Sequence, residues 1–206
     1  MSSEYHHGNL RTAIIERSLA IIADEGVDAL SLRAVASELG VSHAAPRHHF
    51  ANRRALLTAI ATEGYAELGS RTAAVRDAGG SFLEAGLAYV RFALENPAKF
   101  AVMFDPTLVD HSDPTFAAAA DRTLAVLQAS AARHHADADA AALAGWSLMH
   151  GFSALALSGA LAQAGFAPKG VDLVALAARA ASLLSAAPPG EVPAGTPHPH
   201  GEGGTP

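Results

Sequence analysis

The stretch Ala29–Phe50, ALSLRAVASELGVSHAAPRHHF, encodes two short helices joined by a tight turn and followed by a basic, histidine-rich segment. Ser31 stands just ahead of Leu32, where its hydroxyl can accept from the free amides of a helix start. Leu32, Val35, Ala36 and Leu39 then recur at the three- and four-residue steps of one buried face. Gly40 stops that helix, because a residue without Cβ takes the left-handed conformation that closes a helix. Val41 supplies a small apolar plug, and Ser42 is expected to cap a second helix with His43, Ala44, Arg47 and His48 on one face. Pro46 removes an amide near its first turn, so this second helix is predicted to start tightly wound or one residue late. Two short helices across a glycine turn read as a helix-turn-helix, whose second helix enters the major groove of DNA.

Charge supports that reading. The formal net charge is −6, yet Gly40 through Thr62 contains no acidic residue and holds Arg47, Arg53, Arg54, His43, His48 and His49. Such a local cationic surface on an acidic chain is the footprint expected of a phosphate-binding face.

Residues Asn9–Ile60 resemble the N-terminal domain of TetR-type transcriptional regulators. The resemblance is carried by Glu25-Gly26 at the end of a long first helix, Ser31-Leu32-Arg33 opening the second, Gly40-Val41-Ser42 before the recognition helix and His49-Phe50 before the next. It implies that Ser31, Arg33 and His49 contact phosphate. It further implies that Arg53, the basic residue at the start of the fourth helix, also contacts DNA, and that Ser42, His43, Ala44 and His48 meet base edges. Phe50 is expected in the core. Arg47 stands where the resemblance puts an aromatic side chain. A guanidinium there can bond a phosphate or pair with guanine O6 and N7, and the sequence leaves both open.

At 206 residues and half apolar, the chain can bury one small and one larger core. It has no cysteine, which excludes disulfides and thiolate chemistry and is compatible with a reducing cytosol. No run of roughly 18 uninterrupted apolar residues appears and MSSEYHHGNLR lacks a signal-peptide core, so a cytoplasmic protein without membrane association is expected.

Strand patterns are missing after Asn52, and an all-α fold is predicted. Asn52 can cap a helix from Arg53 to about Val75, with Leu56, Leu57, Ile60 and Ala61 inward. Gly79-Gly80-Ser81 ends it and caps the next, whose stripe is Phe82, Leu83, Leu87, Val90 and Leu94. Asn96-Pro97 breaks that element, Ala98–Phe104 forms a short apolar helix, and Asp105–Pro114 is a loop. Further helices are expected over 114–135, 138–163 and 171–185. The domain organisation is therefore a DNA-binding domain over 9–63 with the helix-turn-helix at 31–50, a helical regulatory and dimerisation domain over 64–186, and a disordered Pro/Gly/His-rich tail over 187–206.

The segment 141–163, AALAGWSLMHGFSALALSGALAQ, is apolar on nearly every side and so should be covered on nearly every side. Its small residues allow close helix approach, and with the last helix, through Leu173, Leu176, Ala180, Leu183 and Leu184, it is expected to meet a second copy of the chain. Trp146, His150 and Gly151 resemble the Trp-x-x-x-His-Gly element of one TetR C-terminal subgroup, to which Glu95–Phe104 is also similar. The resemblance implies a two-fold dimer joined by four helices and a small-molecule pocket. Phe100, Met103, Phe104, Phe116, Trp146, Met149 and His150 are the candidate lining, against the plainer reading of aromatic and Met residues at helical spacing as core.

No cofactor and no metal are expected. His6-His7 and His134-His135 are adjacent pairs that point about 100° apart on a helix, which is not the i, i+4 geometry of a zinc pair. His198 and His200 lie in the tail. No nucleophile elbow, phosphate loop, dinucleotide fingerprint or HExxH motif is present. The function expected is a homodimeric repressor released from palindromic double-stranded operator DNA by a small molecule. The alternatives are a helical ligand-binding protein without DNA function and a small helical enzyme.

Overall fold

The computed structural model describes residues 3–185. The tail over 187–206, and the side chains of His6 and His7, lie outside the described residues. Among the described residues all regular structure is helical: α1 (Ser3–Glu25), α2 (Leu32–Glu38), α3 (Arg53–Asp77), α4 (Phe82–Glu95), α5 (Pro97–Met103), α6 (Pro114–Ala132), α7 (Ala138–Leu157), α8 (Ala160–Gln163) and α9 (Leu173–Ser185), with short 3₁₀ turns at Val27–Ala29 and Ala45–His48.

Local chemistry accounts for most of these boundaries. Ser31 Oγ accepts from the Ala34 amide at 3.0 Å to open α2. Asn52 Oδ1 does the same for Ala55 at 2.9 Å to open α3, and Asp113 and Asp137 cap α6 and α7. Ser81 and Glu84 form a reciprocal box, in which the Glu84 carboxylate accepts from the Ser81 amide at 2.7 Å while Ser81 Oγ accepts from the Glu84 amide. The Ser81 amide, and after it the Ser81 hydroxyl, donate to the Glu84 carboxylate and hold its pKa below the usual range. A cap of this kind stabilises a helix by about 1 kcal/mol. Gly40 ends α2 at a φ of +65°. Gly159, at +77°, splits the single helix expected over 138–163 into α7 and α8.

The second helix of the motif departs from expectation. It is a 3₁₀ turn, Ala45–His48, preceded by Ala44 and without a side-chain cap. Ser42 contributes its main-chain carbonyl to the Ala45 amide at 2.9 Å instead of capping with its hydroxyl. The cause is Pro46, which has no amide to donate and disfavours α geometry in the residue before it. The following amides close the tighter ring, Arg47 to Ala44 and His49 to Pro46, before Phe50 returns to Pro46 in an α-type bond.

One continuous cluster of buried side chains surrounds α3, where the sequence led to the expectation of two cores. Towards the N-terminal half Ile14, Ile21, Leu30, Val35 and Phe50 pack with Leu56, Leu57 and Ile60. Towards the C-terminal half Val90, Phe92, Val102 and Phe116 carry the core. Truncating any one of these to Ala would cost about 2–5 kcal/mol.

α7 differs from the rest. By length and mean hydropathy it could cross a membrane, and one face packs on α4, α6 and α9. Within the single chain only Ala142, Met149 and Ser153 of it are buried. Leu143 is 62 % exposed, and on α9 Leu183 is 77 % exposed. The expectation that these helices are covered all round is therefore not met by one chain.

Candidate functional site

The helix-turn-helix presents a coherent polar face. Arg33 on α2 and Ser42, His43, Ala44, Arg47 and His48 on the turn and 3₁₀ element are all exposed, while Pro46 and Phe50 anchor the other side in the core. Ser31 is exposed but commits its oxygen to the α2 cap. His49 is half-buried beneath this face. Glu38, the acidic residue of α2, is paired with Arg17 of α1, so its charge is offset locally.

Arg53 stands at the start of α3, as expected, and is engaged by the backbone. Its Nε donates to the Leu30 carbonyl at 2.9 Å and a terminal nitrogen to the Val27 carbonyl at 2.7 Å. The guanidinium therefore braces the segment before α2 against the start of α3. Arg54 faces the opposite way and donates twice to the Val109 carbonyl, at 3.0 and 2.6 Å. Thr58 Oγ1 accepts from the Asp110 amide at 2.8 Å beside it. One turn of α3 thus grips the segment leading into the helix-turn-helix with one arginine and the α5–α6 loop with the next.

Further along, α3 forms part of a cavity of about 750 Å³. Its wall comes from α3 (Tyr65, Leu68, Thr72), α4 (Phe82 to Tyr89), α6, α7 and α9, with Phe104 at the end of α5. Of the seven lining candidates Phe104, Trp146 and Met149 border it. Phe100, Met103, Phe116 and His150 do not. Phe100 is packed on the Tyr89, Phe104 and His150 rings, Met103 lies against Gly64, and Phe116 meets Tyr65 and His111 edge-on.

His150 stands one layer behind the wall. Its Nδ1 is 2.8 Å from the Tyr89 hydroxyl, and its ring meets Phe104 edge-on at 4.7 Å. Burial lowers the imidazole pKa below its ordinary value and pushes the Tyr89 phenol up, so both are neutral near pH 7. Tyr65, Tyr89, Thr72, Thr123, His134 and His135 also border the cavity, and the sequence reading did not single them out for it. Helical periodicity marks a side chain as inward but not which inward side chains border empty space.

Two models of one regulator family match consecutive parts of the chain, together more than two thirds of it. Residues 14–60 match bacterial regulatory proteins of the tetR family, and residues 82–181 match the tetracyclin repressor-like C-terminal domain. The chain belongs to the TetR family. It is a DNA-binding transcriptional regulator with an N-terminal helix-turn-helix and a helical C-terminal domain.

Solved structures agree with this TetR-family assignment. A protein of unknown function from Rhodococcus sp. RHA1 is 29 % identical with a TM-score of 0.69, over 88 % of this chain and 96 % of that one. A tetR-family regulatory protein from Rhodococcus RHA1 is 25 % identical with a TM-score of 0.63, over 84 % and 93 % of the two chains. A transcriptional regulator from Saccharomonospora viridis, in complex with choline, is 18 % identical with a TM-score of 0.62, covering 87 % and 97 %, and shares the fold. No curated protein matches significantly. The matched C-terminal description is general to TetR regulators and does not single out the Trp-His-Gly subgroup.

Proposed function

We propose that this regulator is a homodimeric repressor, working in the cytoplasm, that leaves a palindromic operator when a small molecule occupies the cavity between α3, α4, α6 and α7. The observation that carries this reading is the continuity of α3. Its first turn holds the segment leading into the helix-turn-helix through Arg53 and the α5–α6 loop through Arg54, and three turns later Tyr65 and Leu68 form cavity wall. A ligand that displaces the wall acts on the helix that carries the DNA-facing element, and it shifts the equilibrium by as much as it prefers one geometry over the other.

The exposed leucines of α7 and α9 support a second copy as their cover. Two-fold symmetry then presents two recognition elements to half-sites about 34–36 Å apart or a multiple of that. In this reading Arg33 and His49 face phosphate, Ser42, His43, Ala44 and His48 lie along base edges, and Arg47 reads a base.

Electrophoretic binding to the DNA upstream of the gene, across a salt series, tests the function. The expected result is a loss of about a thousandfold or more between about 50 and about 200 mM salt. Absence of any salt-sensitive shift on operator-sized duplexes would overturn it. In the same assay Arg47→Ala is expected to reduce discrimination between operator and scrambled duplex by about 1–3 kcal/mol. An equal loss on both duplexes removes the base-reading role.

A further inference from the structure

The cavity wall is polar in few places, and most of those are already committed. The Tyr65 hydroxyl donates to the Met103 carbonyl at 3.1 Å. Thr72 donates to the Leu68 carbonyl at 2.9 Å, Thr123 to the Tyr65 carbonyl at 2.8 Å, and Ser130 to the Val126 carbonyl at 2.8 Å. Each hydroxyl has one proton to give, and each has given it to the backbone. Ser81 donates to the Glu84 carboxylate in the helix cap.

Tyr89 is the exception. Its hydroxyl is paired with a side chain, His150 Nδ1, whose ring can present that nitrogen as either donor or acceptor. In one tautomer the phenol proton goes to the imidazole and the phenol oxygen accepts, from the Trp146 indole N–H beside it and, through its second lone pair, from a ligand. In the other the imidazole N–H goes to the phenol, which is left to donate. A ligand hydroxyl serves both arrangements, since it gives one hydrogen bond and takes two.

Charge is confined to the rim. Asp121, His134 and His135 are the ionisable lining residues apart from the two phenols, and all three are exposed. A formal charge carried into the aromatic interior would find no counter-ion there, and an unpaired buried charge is costly.

We propose that the cavity takes an uncharged, largely apolar molecule whose hydroxyl is held at the Tyr89–His150 pair, with Tyr89 the specificity-determining residue and His150 positioning it from behind. This rests on the reading of the cavity as the effector site, and the volume suits a drug-sized compound.

The chain has a single tryptophan, and it lies in this wall, so energy transfer from Trp146 reports occupancy directly. The probes are four pyrenes of one size: 1-pyrenemethanol, 1-ethylpyrene, 1-pyrenecarboxylate and 1-pyrenemethylammonium. The alcohol is expected to bind saturably, about tenfold tighter than the ethyl compound and tighter still than either ion. Tyr89→Phe should reduce the alcohol to the level of the ethyl compound and leave the ethyl compound unchanged, which also shows that the variant is folded. Ala120→Phe, placing a ring in the cavity, should abolish transfer to all four.

An ion that binds as tightly as the alcohol, or a Tyr89→Phe loss shared equally by alcohol and ethyl compound, overturns the ligand class while leaving the cavity as a binding site. Transfer to none of the probes overturns both. Tight binding of the alcohol with no change in operator affinity would leave this proposal standing and refute the effector reading.

Discussion

Tyr89 and His150 share one hydrogen bond, and the ionisation of His150 has a measurable consequence for the fold. Burial lowers the His150 pKa below the unfolded value of 6.5, so the unfolded chain binds the proton more readily than the folded one. The His150 contribution to stability is then fully present above pH 6.5 and is lost as pH falls through the folded-state value. Melting temperature is expected to drop between pH 7 and pH 5.5, and His150→Gln is expected to flatten that drop. An unchanged pH profile in the variant would show that the imidazole does not govern it. At the same scale Arg53 shows why a motif position and a contact are different things. The basic residue stands where the resemblance puts it, but two carbonyls of the preceding segment lie within hydrogen-bond reach and occupy its nitrogens.

Among the elements, the caps were readable and the winding was not always so. Ser31, Asn52 and Ser81 cap the helices their positions announce, because capping depends on the residue and the three amides that follow it. Ser42 has the same chemistry and does not cap, since Pro46 four residues on turns the backbone into a 3₁₀ course. Ser81→Ala removes the side-chain half of the α4 capping box, the bonds made by Ser81 Oγ, and leaves the residue-81 amide donating to Glu84. It is expected to lower stability by about 1 kcal/mol in chemical denaturation, with the midpoint shifted and the slope unchanged. A shift of less than a few tenths of a kcal/mol would mean that α4 is held by packing alone. Gly145 carries a tertiary demand no local rule contains: a Cβ there would lie 2.7 Å from the Phe82 ring, so the residue keeps α7 and α4 close beside the cavity.

For the whole molecule the unsatisfied term is apolar area on α7 and α9. Leu183 and Leu184 are 77 % and 66 % exposed in the single chain, and burial in a dimer would contribute about 25 cal/mol per Å² of apolar surface removed from water. Leu183→Asp is expected to convert a dimer to a monomer in sedimentation velocity and to weaken operator binding in parallel. A variant that stays dimeric, or a native chain that sediments as a monomer, would assign the exposed leucines another cover.

The sequence by itself determined the helical class, the helix-turn-helix and its charge, because these depend on periodicity, capping and composition within a few residues, and its short motifs carried the resemblance to the family. Only the tertiary structure decided which aromatic side chains border open space, that His150 pairs with the Tyr89 hydroxyl from behind the wall, and that Arg53 and Arg54 bond backbone on opposite sides of α3. Those facts depend on where helices far apart in the chain come to rest. A residue's own neighbours in sequence carry no record of the carbonyl, ring or void it will meet across a helix packing.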